Sequence, residues 1–64
     1  MSNTTYSTII LYFENHTSKT IDRPSGFGVN EFGFFCVESN SVINMYPVET
    51  ISAIEVFKSS LVSL

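Results

Sequence analysis

Apolar residues fall along this chain in short runs, and polar clusters break each run before it reaches helix length. The stretch from Thr5 to Phe13 is built of Thr, Tyr, Ile, Leu and Phe, the β-branched and aromatic types that suit a pleated strand. In such a strand Ile9, Leu11 and Phe13 share one face, and Tyr6, Thr8, Ile10 and Tyr12 the other. Both faces carry apolar groups, which predicts a central strand or one whose second face meets a partner. Glu14 to Ser18 reads as a turn, with Asn15 suited to positive φ. Lys19 to Arg23 reads as a second strand, ended at Pro24, which has no N–H for a ladder. Ser25 to Glu31 is expected to be irregular, with Gly26 and Gly28 presenting Phe27.

Three more apolar runs follow. Phe32 to Glu38 predicts a third strand, with Phe35 and Val37 on one face and Phe32, Phe34 and Cys36 on the other. After the turn signal Ser39-Asn40-Ser41, Val42 to Tyr46 predicts a fourth, with Ile43 and Met45 opposite Val42, Asn44 and Tyr46. Pro47 to Thr50 is a tight corner, with room for one helical turn. Ile51 to Phe57 predicts a fifth strand, Ile54 and Val56 facing one way and Ala53, Glu55 and Phe57 the other. A helix over Glu49 to Leu61 is the competing reading, but Ile51, Ile54, Val56 and Phe57 make no clean helical stripe, and Ile, Val, Thr and Phe form helices poorly.

The expected architecture is therefore all-β: a single domain over residues 1–64, a small five-stranded antiparallel meander. Residues 1–4 and 59–64 are expected to be flexible or docked on a partner. An open sheet of this size leaves bare edges, and closure would remove them. The corner Tyr46-Pro47-Val48-Glu49-Thr50-Ile51 resembles the turn before the last strand of SH3-like and Sm-like barrels, which implies that closed form.

Composition narrows the function. At 64 residues a chain buries only about 60% of its unfolded surface, and such domains usually lean on disulfides, a metal or a partner. There is one cysteine, Cys36, and one histidine, His16, so neither an internal disulfide nor a zinc site can be assembled from them. A homodimer or another protein partner is the remaining support. The net charge of −3, with only Lys19, Arg23 and Lys58 positive, lacks the basic footprint of a nucleic-acid binder. The N-terminal residues lack a basic segment followed by an apolar one, and no run reaches the length of a membrane helix. The expected compartment is the cytoplasm, and the triplets at Asn3 and Asn15 are expected to be unmodified.

No catalytic residues and no cofactor are expected. His16 reads as a solvated turn residue and Cys36 as a small strand hydrophobe. Glu38, Glu49 and Glu55 read as edge charges that discourage aggregation, and Gly26-Phe27-Gly28 lacks the spacing of a phosphate loop. The aromatics carry the signal. Tyr6, Tyr12, Phe34, Tyr46 and Phe57 are expected on the face away from the core, as an interface. Arg23 and Phe27 are the candidate anchors of the long connection. The expected partner-binding set is thus Arg23, Phe27, Tyr12, Phe34, Tyr46 and Phe57.

In size and composition the whole chain resembles the small accessory proteins that bacteriophages encode to inhibit host enzymes or defence systems. The resemblance implies a non-enzymatic protein-binding module that inhibits or regulates a partner. The alternative is a small-ligand binder that sequesters a nucleotide signal, with Arg23 and Lys19 on phosphate and Phe27 or Tyr46 stacked on a base.

Overall fold

The structure is a computed structural model that describes residues 5–59. It contains β1 (Tyr6–Phe13), β2 (Ser18–Asp22), β3 (Gly26–Val29), β4 (Phe34–Ser39), β5 (Val42–Pro47), a 3₁₀ turn (Val48–Thr50) and β6 (Ile51–Lys58). The all-β, antiparallel expectation holds. The strands form two three-stranded sheets, in the orders β2-β1-β6 and β3-β4-β5.

Local chemistry explains each change of direction. Between β1 and β2 the Asn15 Oδ1 accepts from both the amide (3.1 Å) and the hydroxyl (2.6 Å) of Thr17. The positive φ expected at Asn15 falls instead on His16, at 69°. After β2 the chain passes from one sheet to the other within three residues. The Arg23 amide still donates to Ser7 of β1 at 2.8 Å, while the Ser25 amide donates to Glu38 of β4 at 2.8 Å. The Ser39 hydroxyl ties the corner to the Asp22 carbonyl at 2.9 Å. Pro24 sits where the ladder changes partner, so its missing donor removes no bond.

Two expectations are corrected here. Residues Gly26–Val29 are a strand, because β4 supplies a continuous partner from Gly26↔Glu38 to Val29↔Phe35, which overrides the weak strand preference of glycine. Phe32 does not begin the following strand. It lies in the tight turn between β3 and β4, where Asn30 Oδ1 accepts from the amides of Phe32 (2.9 Å) and Phe34 (3.0 Å). Gly33, at φ 85°, supplies the left-handed residue of that turn. The β4–β5 hairpin closes through Asn40 and Ser41, both at positive φ (53° and 64°), the geometry of a two-residue primed turn.

The core lies between the sheets. Ile9, Leu11, Ile21, Phe35 and Val37 are buried, and Phe13, Tyr46 and Ile51 pack against them. The register Ile9↔Val56 and Leu11↔Ile54 puts Val56 and Ile54 of β6 on this inner side, and the register shift between Tyr12 and Phe13 sets Ile51 opposite Phe13. The helix considered for residues 49–61 is absent from the described residues. One 3₁₀ turn is followed by β6, which pairs along the length of β1. Among the described residues β5 and β6 share no ladder, so hydrogen bonds do not close a barrel there. Of the terminal segments, the Ser59 amide donates to Thr5 at 3.0 Å; residues 1–4 and 60–64 lie outside the described residues.

Candidate protein-binding surface

The two sheets present different outer faces. On β2-β1-β6 the register Thr8↔Phe57 and Tyr12↔Ala53 places Phe57 and Tyr12 outward with Ile10 and Glu55. The Tyr12 hydroxyl donates to the Glu55 carboxylate at 2.8 Å. That bond, with burial and the charge of Glu55 behind it, raises the Tyr12 pKa above its ordinary 10.0. This face mixes polar and apolar groups, and threonines and serines of β1 and β2 dilute its aromatics.

On β3-β4-β5 the outer face is apolar. Gly28, Cys36 and Met45 form one cross-strand row, and Gly26, Glu38 and Ile43 another. Side chains missing at the two glycines leave open space above the backbone, and a depression of about 380 Å³ lies over them, edged by Cys36, Glu38 and Ile43. Ile43 is 61% exposed and Met45 50%. At the end of this face stands Phe32, 76% exposed, beside Phe34, Pro47 and Val48. From Gly26 to Thr50 the ionisable side chains are Glu31, Cys36, Glu38, Tyr46 and Glu49, with no Lys, Arg or His. The face is therefore apolar apart from Glu38 on its central strand, with Glu31 and Glu49 in the flanking turns.

The expected site residues do not form one surface. Tyr12 and Phe57 share the outer face of the first sheet, and Phe34 lies on the outer face of the second. Tyr46 is corrected: the pairs Phe35↔Tyr46 and Val37↔Asn44 turn it to the core side, where its ring lies 5.6 Å from that of Phe13. Phe27 is held from both sides by Tyr6 (5.2 Å) and Phe35 (6.2 Å). Arg23 is exposed at the kink between the sheets, at φ 51°.

Phe32, Ile43 and Met45 were not among the expected binding residues. The signal for Phe32 was present as Asn30-Glu-Phe-Gly33, an Asn whose side chain can fold onto its following amides before a glycine. For Ile43 and Met45 the alternation is legible, but an outward Tyr46 puts both on the core side, and the register with β4 reverses that placement.

The small-ligand constellation is not assembled either. Lys19 lies in β2 and Arg23 directly after it, about 13 Å apart along an extended chain, and Phe27 and Tyr46 are engaged with other rings. Among the described residues no group of three or more His, Cys, Asp or Glu could hold a metal ion, and no helix is long and apolar enough to cross a membrane. Comparison with protein-family models, with curated proteins and with solved structures finds no match to this chain.

Proposed function

We propose that this chain is a non-enzymatic protein-binding module that docks the outer face of β3-β4-β5 onto another protein and inhibits or regulates it by covering that surface. The observation that carries this reading is Phe32. A large apolar ring stands 76% exposed on a turn that two hydrogen bonds to Asn30 hold in place. Holding an aromatic side chain in water has no folding benefit, whereas a pre-positioned aromatic is a typical energetic anchor of an interface. Phe34, Cys36, Ile43 and Met45 extend the apolar contact, and Glu38 within the face, with Glu31 and Glu49 in the flanking turns, suits a partner whose apolar patch carries a Lys or Arg of its own. In kind, this is the action of the small phage inhibitors that the chain resembles in size and composition.

The test uses wild-type chain and the Phe32→Ala variant as baits, followed by calorimetry with the purified partner. Phe32→Ala is expected to weaken binding by about 2 kcal/mol or more while urea unfolding changes by about 0.5 kcal/mol or less. Cys36, the one cysteine, reports on the same face: partner binding should slow its reaction with a thiol probe. Equal binding by wild type and variant, with an unprotected Cys36, would overturn the assignment.

A further inference from the structure

We infer that β5 is a self-pairing edge, and that two copies of this chain join β5 to β5 about a two-fold axis through Asn44. The four sheet edges are treated differently. β2 carries Lys19 and Asp22, and β3 is four residues long with two glycines. β6 carries Glu55 and Lys58 and has two register shifts against β1. Charges, short strands and bulges of this kind prevent edge-to-edge association. β5 has none of them. It is uncharged, pairs without interruption from Ser39↔Val42 to Phe34↔Pro47, and places its proline at the last position.

Among the described residues the outer edge of β5 has no strand partner, and it has a defined set of donors. The Val48 amide donates to the Gly33 carbonyl at 3.0 Å. Antiparallel alternation then turns the main-chain groups of Tyr46, Asn44 and Val42 toward β4. The amides and carbonyls of Ile43 and Met45 are left facing outward. A second β5, antiparallel and centred on Asn44, accepts these groups in full: Ile43 exchanges hydrogen bonds with Met45 of the second copy, and Met45 with Ile43.

The side chains match in the same register. Ile43 meets Met45 on the outer face, Val42 meets Tyr46 on the inner face, and Asn44 meets Asn44. That central pair is of the closer, non-hydrogen-bonded kind, with Cα atoms about 4.5 Å apart, so the two amides can bond to each other. Asn44 is half-buried, and its side chain has no hydrogen-bond partner among the described residues. Centring the axis on Ile43 or Met45 instead sets Val42 or Tyr46 against Asn44, an apolar–polar mismatch. Self-complementarity of this kind is what a two-fold contact requires, and it selects a second copy as the occupant.

The inference stands apart from the proposed partner. The pairing rests on the outward main-chain groups of Ile43 and Met45, and their side chains, which meet across the axis, stay on the outer face. Pairing would set two outer faces side by side in one six-stranded sheet.

Sedimentation equilibrium of the full chain tests it. Wild type is expected to be a monomer–dimer system, and Asn44→Asp, which opposes two carboxylates on the axis, to associate about tenfold or more weakly at neutral pH. Acidification through the carboxylate range should restore the Asn44→Asp dimer. Mixing Asn44→Asp with Asn44→Lys should give a heterodimer. A synthetic chain N-methylated at Met45, which loses the edge donor and keeps the side chain, should be monomeric, and it serves where an Asn44 variant fails to fold. A wild type that stays monomeric, assembles beyond a dimer, or dimerises equally well with Met45 N-methylated would overturn the inference. So would a folded Asn44→Asp chain that associates as tightly as wild type.

Discussion

The ring of Tyr6 meets that of Phe27 edge to face, with centroids 5.2 Å apart and planes at 72°. Tyr6 opens β1 in one sheet and Phe27 sits in β3 of the other, so the pair clamps the sheets near the kink at Pro24. The contact depends on the register shift between Tyr6 and Thr8, which takes Tyr6 out of the simple alternation of β1.

Phe27→Ala should therefore act on stability. The ring is 40% exposed, so the expected loss is about 2 kcal/mol, at or below the lower part of the range for deleting a buried ring. A double-mutant cycle with Tyr6→Ala should give a coupling of about 0.5–1.5 kcal/mol. Urea unfolding of the four chains measures both, and additive effects would show that the ring contact is energetically idle. Arg23→Ala, by contrast, should leave the midpoint within about 0.5 kcal/mol of wild type.

Leu11 and Ile43 separate core from surface. Leu11 is fully buried and Ile43 is 61% exposed. Leu11→Ala is expected to cost about 3 kcal/mol, enough to unfold much of a domain this small. Ile43→Ser should change monomer stability by about 0.5 kcal/mol or less. Thermal unfolding at low chain concentration gives the comparison, and a large loss at Ile43 would mean that the face is covered within the chain.

Ser41 is strained. It holds φ 64° beside Asn40 at 53°, a conformation in which glycine has no steric penalty. Ser41→Gly creates the Asn-Gly pair preferred by this turn and should raise stability by about 0.5–1 kcal/mol. An unchanged or lower denaturation midpoint would contradict the turn assignment.

Tyr12 contributes a pH dependence on the alkaline side. Its hydroxyl donates to Glu55 at 2.8 Å, which raises its pKa in the folded chain. The folded chain thus holds this proton more tightly than the unfolded chain does. The stabilisation is complete below the unfolded value near 10 and is lost as pH rises through the higher folded value. Ultraviolet titration should find Tyr12 ionising later in wild type than in Glu55→Gln, and identical curves would remove the bond from solution.

Alternation and turn residues, both written in the sequence, were enough for the all-β class, the inner set Ile9, Leu11, Phe35 and Val37, and the outward placement of Tyr12, Phe34 and Phe57. They reflect the two-residue period of a strand and the φ tolerance of Asn and Gly, which are local properties. The tertiary structure decided what depends on pairing. Gly26–Val29 became a strand only because β4 lay beside it, and Phe32 left its expected strand because Asn30 captured its amide. Tyr46 turned inward, and Ile43 and Met45 outward, because the register with β4 placed Tyr46 opposite Phe35. A period of two says which residues share a face, but the side that is buried is chosen by the sheet across the core, and no stretch of β5 read alone contains that information.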